Sequence, residues 1–274
     1  MKKLSLVFVL TLAVGMAMAQ KTTVITQSGN WNSADVSQTA GTFAYGNHAE
    51  LDANSIFATQ SGNSNTLNTE QRGSSNFVEL MQSGENNTAN MKQFTLVGGS
   101  LNTAKIMQSG NLNKVDLLQK EDPLVFPDDS KNKATATQSG TNGSYKLVQG
   151  GDEWSPTAEQ SLTQSGIGNK ADVLQIGIKI VSDIAQSNNF NSAILNQNGT
   201  QGGRGIAISN SWQSGASNLL DIHQYYDAGD LEANSVQNGL SNKTNIQQNS
   251  NHILNVVGTQ LGVGDMINVK QIGF

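Results

Sequence analysis

The sequence predicts an all-β fold: a β-solenoid of about ten strand–arc–strand repeats whose strands form two facing parallel sheets. The first observation behind this is a series of glutamine pairs, in which the second glutamine always follows the first by eleven residues. The second is an alternation of apolar and polar residues on both sides of a short arc, which is typical of β-strands. The third is the variable distance between pairs, eleven to twenty-two residues, which indicates repeats joined by connectors of unequal length.

Residues 1–19 are predicted to be a signal peptide. Two lysines precede an apolar run over 4–15, and small residues at 17–19 give a cleavage site. The apolar run is short for a segment that crosses a bilayer. We therefore expect an exported mature chain, residues 20–274, that consists of the repeats and has no membrane-spanning segment.

The composition excludes an ordinary globular domain with a thick core. Only 36% of the residues are hydrophobic, 5% are aromatic and 14% are charged, which favours a thin core with polar ladders. Loss of the two signal-peptide lysines changes the formal net charge from −5 to −7, which disfavours nucleic acid and anionic membranes as partners. There is no cysteine, so disulfides do not stabilise the fold.

The clearest repeat, residues 76–93, shows how one unit is built. Its predicted turn, 83–86, contains Gly84, because glycine takes positive φ without steric cost. Outward positions are mainly polar, with Phe77 and Met81 as exceptions. The predicted inward face carries Asn76, Val78, Leu80, Gln82, Asn87, Ala89, Met91 and Gln93. A slip of one residue would turn this apolar face outward.

The glutamines lie on the apolar face in every repeat, so we predict that they stack in buried ladders. Each side-chain amide would donate to one neighbour and accept from the other. The pairs are Gln27/Gln38, Gln60/Gln71, Gln82/Gln93, Gln108/Gln119, Gln138/Gln149, Gln164/Gln175, Gln186/Gln197, Gln213/Gln224, Gln237/Gln248 and Gln260/Gln271. The predicted arc glycines, two residues after the first glutamine, are Gly29, Gly62, Gly84, Gly110, Gly140, Gly166, Gly215, Gly239 and Gly262, with Asn188 in the remaining repeat.

The connectors between repeats hold all the irregularity of the sequence. Proline breaks β-ladders, and all three prolines, Pro123, Pro127 and Pro156, lie in connectors. The longest connectors are 39–53, 120–131, 150–157 and 198–205. We expect them to be loops along one edge of the solenoid, with ligand binding by these loops as an open alternative.

The pattern Gln-x-Gly-x-x-Asn-x-Ala-x-x-x-Gln resembles the curlin repeat of curli-type bacterial functional amyloid subunits. Repeats 27–38, 82–93 and 164–175 match it at every fixed position, and 186–197 matches except at Asn188. The resemblance implies a secreted structural subunit that self-assembles into extracellular fibres on the bacterial cell surface, for biofilm matrix, adhesion and surface attachment. The partners it implies are further copies of the chain, a nucleating or major curlin subunit, and outer-membrane export machinery.

The resemblance extends over nearly the whole mature chain and implies roles for single residues. It implies that the glutamines, and the asparagines five residues after the first glutamine, are inward ladder residues that also mediate polymerisation. These asparagines are Asn32, Asn65, Asn87, Asn113, Asn169, Asn191, Asn218 and Asn242, with Gly143 and Asp265 in the other two repeats. The first repeat begins at Thr22 or Thr23, so the leading segment that engages the export pore in familiar relatives is short or missing. Major and nucleating subunits both fit the sequence.

An enzyme is the first competing interpretation. The three histidines, His48, His223 and His252, are widely separated, and no nucleophile elbow, phosphate loop or paired-histidine motif occurs. We predict no catalytic, cofactor-binding or metal-binding residue. A row of outward aspartates has solubility as its expected role, with weak calcium binding as a minor alternative. Its members are Asp35, Asp116, Asp172 and Asp221.

A monomeric or cell-surface β-solenoid adhesin or binding protein is the main alternative. Capping elements are expected in such a protein, whereas residues 271–274 run straight out of the last predicted strand. Residues 262–267 loosely match a calcium β-roll motif, but nothing repeats at nine residues. The outward positions are too mixed for an ice-binding face. Trp31, Trp154 and Trp212 share no register, which disfavours a carbohydrate-stacking row.

Overall fold

The computed structural model describes residues 7–9, 21–39, 54–73, 75–94, 101–120, 131–150, 158–175, 177, 180–199, 206–226, 230–250 and 253–272. Every regular element within these ranges is a β-strand. The same part of the chain contains no helix that is long and apolar enough to cross a membrane. The predicted longest connectors lie almost wholly outside these ranges, as do the three prolines, His48, His252, Trp154 and the predicted signal peptide apart from Val7–Val9.

The strands alternate between two sheets, so each repeat forms one coil of a solenoid. The strands are β1 (Val7–Val9), β2 (Thr22–Asn30), β3 (Ser33–Thr39), β4 (Ser55–Asn63), β5 (Thr66–Arg72), β6 (Phe77–Glu85), β7 (Thr88–Phe94), β8 (Leu101–Asn111), β9 (Lys114–Lys120), β10 (Lys131–Thr141), β11 (Ser144–Gln149), β12 (Ala158–Ile167), β13 (Lys170–Gln175), β14 (Ile180–Gln186), β15 (Ser192–Gly199), β16 (Ile206–Ala216), β17 (Leu219–Tyr226), β18 (Asp230–Leu240), β19 (Lys243–Ser250), β20 (Leu254–Val263) and β21 (Met266–Ile272).

The predicted fold class, a solenoid with two parallel sheets, is confirmed. The first sheet contains the even-numbered strands β2 to β20, and the second contains the odd-numbered strands β3 to β21. We number the coils 1 to 10, from β2/β3 to β20/β21. Neighbouring coils pair in parallel, and β1 adds one antiparallel strand to the free edge of β2. At about 4.8 Å per coil, ten coils give a body roughly 48 Å long.

Identical positions of the repeat lie above one another in spite of the unequal connectors. Gln82 pairs with Gln108 in the first sheet, and Gln93 pairs with Gln119 in the second. The inward aliphatic side chains meet between the sheets, where Leu80 and Met91 are buried, while the outward Met81 is 49% exposed. The alternation read from residues 76–93 therefore gives the observed inward and outward faces.

The arcs are shorter than the sequence predicted. The predicted turn, 83–86, is wrong at its start, because β6 continues through Gly84 to Glu85. Parallel stacking explains the difference: Gly84 and Glu85 pair with the equivalent residues of the next coil, so the arc backbone extends the sheet. Only Asn86 and Asn87 remain outside the strands before β7 begins.

In each arc, the residue two positions after the arc glycine, or after Asn188 in coil 7, also has positive φ. Sequence reasoning missed this position. Asn86 has φ 56° and Leu112 has φ 58°, a conformation that leucine rarely adopts. The neighbouring coil holds this conformation in place, since the Leu112 N–H donates to the Glu85 carbonyl at 2.9 Å. The same bond recurs in every arc from coil 2 to coil 10. Members of this position with positive φ are Trp31, Ser64, Asn86, Leu112, Asn142, Gly168, Phe190, Ser217, Ser241 and Gly264.

The arc glycines are required by stacking as well as by φ. Gly110 has φ +93°, and a Cβ built on it would lie 2.1 Å from the carbonyl oxygen of Gly140 in the next coil. Asn188 takes φ 65° in place of glycine. In that coil β14 ends at Gln186 and the arc keeps only single-residue bridges at Asn189. The expectation of positive φ fails at Gly262, which no further coil of the chain covers.

A matched pair of glycine substitutions separates stacking from backbone strain. Gly264 also has positive φ, +73°, but a Cβ there would meet nothing within 4 Å. We expect Gly264→Ala to cost about 1 kcal/mol of unfolding free energy. Gly110→Ala should cost clearly more, because the methyl group also pushes two coils apart. Urea unfolding of freshly purified chains measures both, and equal losses would contradict a stacking requirement.

Candidate functional site

The first glutamine of every coil joins an uninterrupted ladder through the first sheet. Gln82 Nε2 donates to Gln108 Oε1 at 2.8 Å, and Gln60 Nε2 donates to Gln82 Oε1 at 2.8 Å. All nine steps from Gln27 to Gln260 have this direction, with the donor on the earlier coil. The members of the ladder are Gln27, Gln60, Gln82, Gln108, Gln138, Gln164, Gln186, Gln213, Gln237 and Gln260.

A second hydrogen bond fixes the orientation of these amides. Gln82 Nε2 also donates to the Thr66 carbonyl at 3.2 Å, and Gln108 Nε2 donates to the Thr88 carbonyl at 3.1 Å. A carbonyl accepts only from the nitrogen, so the amide cannot be reversed. All members from Gln60 to Gln260 are buried, Gln260 of the last coil included, whereas Gln27 of the first coil is half-exposed. Burial of these amides is tolerated because their donors and acceptors are paired.

The second glutamines form a ladder in the second sheet that changes direction halfway. From Gln38 to Gln149 the donor is on the earlier coil, as in Gln93 Nε2 to Gln119 Oε1 at 2.7 Å. From Gln175 onward the donor is on the later coil, as in Gln197 Nε2 to Gln175 Oε1 at 3.1 Å. The structure describes both Gln149 and Gln175, and no hydrogen bond joins them. The bonded members are Gln38, Gln71, Gln93, Gln119, Gln149, Gln175, Gln197, Gln224 and Gln248. Gln271 is in register with Gln248, but no hydrogen bond joins their side chains, and Gln248 Oε1 has no partner within the described residues.

The arc asparagines from Asn32 to Asn218 connect three backbone groups each, and Asn242 connects two. Asn87 Oδ1 accepts the N–H of Asn113 at 3.0 Å, while Asn87 Nδ2 donates to the carbonyls of Ser83 and Gly110, both at 2.9 Å. The acceptor bond to the next coil recurs at Asn32, Asn65, Asn113, Asn169, Asn191, Asn218 and Asn242. The residue type explains the pattern, because an amide both accepts and donates. Gly143 has no side chain for these bonds, and a carboxylate at Asp265 only accepts.

A third row of buried amides was missed by sequence reasoning. Asn76 Nδ2 donates to Asn54 Oδ1 at 3.1 Å, Asn102 Nδ2 to Asn76 Oδ1 at 3.0 Å, and Asn132 Nδ2 to Asn102 Oδ1 at 3.0 Å. These residues precede the first glutamine by six positions in coils 2 to 5. That spacing was visible in the sequence, but it stops at Ala158 and so escapes a search for positions shared by all repeats.

The outward aspartates lie in one row but not next to one another. Asp116 lies between Asn90 and Lys146, and Asn90 Nδ2 donates to Asp116 Oδ1 at 2.6 Å. Lys146 separates it from Asp172. Among the residues that the structure describes, no three histidine, cysteine, aspartate or glutamate side chains are grouped as metal ligands would be. A cation at this row would therefore meet single carboxylates and not a cluster of ligands.

The ionisable groups with shifted pKa values do not form a cluster of catalytic side chains either. Burial raises the pKa of Asp183, with a further contribution from the charge of Glu159. Burial alone raises the pKa of Tyr145, which lies in the core. His223 Nε2 contacts Asp221 Oδ1 at 2.9 Å, on the outward face of the second sheet. No nucleophilic side chain is within hydrogen-bond distance of this pair in the described part of the chain.

The two tryptophans that the structure describes have different settings. Trp31 lies in the first arc and is 88% exposed, and Trp212 lies on the outward face of β16 with 61% exposed. Trp212 lies within β16, which continues past Gln213 to Ala216 because the arc backbone remains paired. Its neighbours in the row are Ala185 and Val236.

The fold and the site define a β-solenoid whose core contains one continuous glutamine ladder in the first sheet and further, interrupted rows of glutamine and asparagine amides. Comparison with known families agrees with this architecture. Residues 62–94, from the first arc glycine of coil 2 to the end of β7, match the family model of the curlin associated repeat. Residues 62–94 of the chain are therefore similar to the curlin associated repeat. No curated protein and no solved structure matches it.

Removal of one ladder amide should destabilise the fold more than removal of a larger outward side chain. Gln82→Ala leaves the Gln60 donor and the Gln108 acceptor without a partner, at a cost of roughly 1–3 kcal/mol each where burial is complete. Met81→Ala, in the same strand, removes an exposed side chain and should change unfolding free energy by less than about 0.5 kcal/mol. Urea unfolding of both variants measures the two changes in unfolding free energy. A similar loss of unfolding free energy in each variant would show that the ladder contributes little to stability.

Proposed function

We propose that this chain is a non-catalytic structural subunit that assembles end to end into extracellular curli-like amyloid fibres. The observation that carries the proposal is the single direction of the glutamine ladder in the first sheet. At coil 10, Gln260 Nε2 donates only to the Lys243 carbonyl and has a second hydrogen left. At coil 1, Gln27 Oε1 accepts no bond within the described part of the chain. One end of the ladder thus offers a donor and the other an acceptor.

Stacking of coil 10 on coil 1 of a second copy would repeat the internal step. Gln260 Nε2 would donate to Gln27 Oε1 of the next chain, as Gln237 Nε2 donates to Gln260 Oε1 at 2.9 Å. Two chains joined through like ends would place two donors or two acceptors together. A contact between unlike ends that does not close into a ring produces a filament.

The apolar surface at the C-terminal end supports the same contact. Leu261, Val263 and Met266 of coil 10 are 70%, 73% and 63% exposed. A stacked coil would cover this surface and pair the free backbone groups of β20 and β21, which otherwise form an edge open to association. The end of the solenoid is therefore suited to another coil of the same kind.

Part of the N-terminal edge is covered as long as the predicted signal peptide is present. Strand β1, in the predicted signal peptide, pairs with β2 through Val7–Val9 and Val24–Thr26. Cleavage at the predicted site would remove this strand and free the edge of β2. Export and cleavage would then precede assembly, which suits a secreted subunit that polymerises on the bacterial surface.

The wider role follows from the repeat family. A curlin-repeat chain that polymerises outside the cell would serve biofilm matrix, cell adhesion and surface attachment. Its proposed partners are other copies of itself, a nucleating or major curlin subunit, and outer-membrane export machinery. The buried ladder amides carry no charge and are neither nucleophiles nor general acids, so the proposed role involves no catalysis.

Assembly of the mature chain, residues 20–274, tests the proposal directly. We expect fibres that bind thioflavin and diffract at about 4.8 Å along the fibre axis. Gln27→Ala with Gln38→Ala should slow seeded elongation, because these side chains belong to the docking coil. Gln82→Ala with Gln93→Ala is the matched internal control. A chain that stays monomeric for days at high concentration would instead favour the monomeric adhesin, and equal elongation rates in both double variants would contradict end-to-end templating.

Asp265 should slow assembly in the native chain. It occupies the arc position at which asparagine donates to the glycine carbonyl of the next coil, as Asn218 does to Gly239 at 3.2 Å. The carboxylate would face the Gly29 carbonyl of a docking copy without a hydrogen to donate. We expect Asp265→Asn to speed elongation by roughly twofold to tenfold per added bond. Asp230→Asn is the control, because it removes one negative charge at a position outside the arc. Equal acceleration of elongation by both variants would show that net charge alone explains the effect.

A further inference from the structure

We infer that the solenoid consists of two blocks, coils 1–5 and coils 6–10, that open separately along a weak plane between residues 150 and 158. The inference concerns a single chain and does not depend on fibre assembly. It rests on three side-chain rows, in different parts of the cross-section, that are all interrupted between the same two coils. We call this plane the seam.

The glutamine ladder of the second sheet is broken at the seam and, at the end of the solenoid, between Gln248 and Gln271. Gln149 Nε2 turns to the carbonyls of Lys133 and Ala158, at 3.1 and 3.2 Å. Gln175 Nε2 donates to the Glu159 carbonyl at 3.3 Å. Both Oε1 atoms are used by neighbours on the far sides of the seam, so the two amides meet as donor against donor.

Backbone pairing in the second sheet shortens at the same place. Strands β9 and β11 pair as far as Gln119 and Gln149, but β11 and β13 stop one residue earlier, at Val148 and Leu174. The glutamine that would close the last pair has instead moved its amide toward Ala158. The seam thus lacks the glutamine–glutamine bond and one backbone pair that the preceding boundary has, and the bond from Gln149 to the Ala158 carbonyl is the side-chain bond that crosses it in the second ladder.

The arc ladder is interrupted because Gly143 replaces asparagine. In the other coils from 2 to 10 the equivalent N–H donates to the side chain of the preceding coil, as Asn191 does to Asn169 Oδ1 at 3.0 Å. Asn169 faces Gly143, which has no side-chain acceptor. Gly143 also cannot donate to the Gly166 carbonyl, as Asn113 Nδ2 does to Gly140 at 3.2 Å. Two inter-coil hydrogen bonds are therefore missing at this arc.

The third row ends at Asn132. The next residue in register is Ala158, and the position is apolar in the following coils. Ile180, Ala207 and Leu231 form a buried cluster of their own, separate from the main core. The side of the solenoid that carries amides in coils 2 to 5 is therefore apolar in coils 6 to 9, and the two chemistries meet at the seam.

The core of the second block also contains buried hydroxyl groups that lack partners within the described residues. Ser182 and Ser209 occupy the inward position of the repeat that Val78 and Ala104 occupy in the first block. Ser211 occupies the inward position that Ile106 occupies there. Unpaired buried polar groups are costly. We therefore expect the second block to be the less stable of the two.

The seam is weakened but not absent. Gln138 Nε2 still donates to Gln164 Oε1 at 2.8 Å, and β10 and β12 pair over ten residues. In a repeat array, stability is a sum of repeat and nearest-neighbour interface contributions. The next boundary, between coils 6 and 7, has fewer backbone pairs, seven and six against ten and five, but it keeps the glutamine and arc-asparagine bonds that the seam lacks. We expect an array with a weakened interface in its middle to open in two steps at that interface.

Hydrogen exchange with mass spectrometry on the freshly purified mature monomer, in mild denaturant, tests the inference. We expect two exchange classes with a boundary between residues 150 and 158, and faster exchange in 158–272. Gly143→Asn should restore the missing arc bonds and slow the separate opening of 158–272 by about twofold to tenfold per bond. Gly143→Ala adds the Cβ without the amide and is the matched control. Gly143 does not have positive φ, and the Cβ of either variant would lie 2.9 Å from Asn113 Oδ1, so both variants meet the same steric contact and differ only in the amide.

Three outcomes would overturn the seam: a single exchange class along the chain, a boundary at another coil, or the same opening rate in Gly143→Asn and Gly143→Ala. All three are read on monomers before any fibre forms. Failure of the seam therefore leaves the proposed assembly untouched, and failure of assembly leaves the seam untouched.

Discussion

The need to pair buried amides is the constraint on which the rest of this structure depends. Two sheets face each other across a thin core, and each coil places glutamine side chains in it. An amide in that position is stable only if a neighbour accepts its hydrogens and another donates to its oxygen. Since a coil cannot supply both partners itself, every coil needs another at the same register. Stacking is thus a condition of the fold, and the proposed addition of further copies rests on the same requirement.

The arcs show the same constraint in the backbone. A coil can superimpose on the next only if its turn has the same shape, and residues as different as Trp31, Leu112 and Phe190 accept positive φ to achieve this. From coil 2 to coil 10, the N–H group at this position donates to a carbonyl of the preceding coil. The glycine two positions earlier must leave room for the carbonyl of the following coil. Side-chain preference is overridden where stacking demands it.

Residues that deviate from the repeat change the strands and hydrogen bonds of their own coil and its neighbours. Asn188 keeps the required φ but shortens a strand, and Gly143 removes inter-coil bonds without changing the arc. The reversal at Gln149 shows that an amide ladder has a direction that can differ between segments of one sheet. A chain of similar coils is thus not uniform, and its mechanical and thermodynamic behaviour depends on where such exceptions coincide.

The sequence by itself determined the solenoid, the ten coils, the inward face and the residues that stack, because alternation and fixed spacing are local properties of the chain. It also carried the asparagines at 54, 76, 102 and 132, although their meaning depends on which residue lies above which. Only the tertiary structure decided the extent of the arcs, the positive φ at positions such as Leu112, and the direction of each ladder. The physical reason is that these features are set by hydrogen bonds between coils. Residues more than twenty positions apart make those bonds, and spacing alone does not say which amide donates.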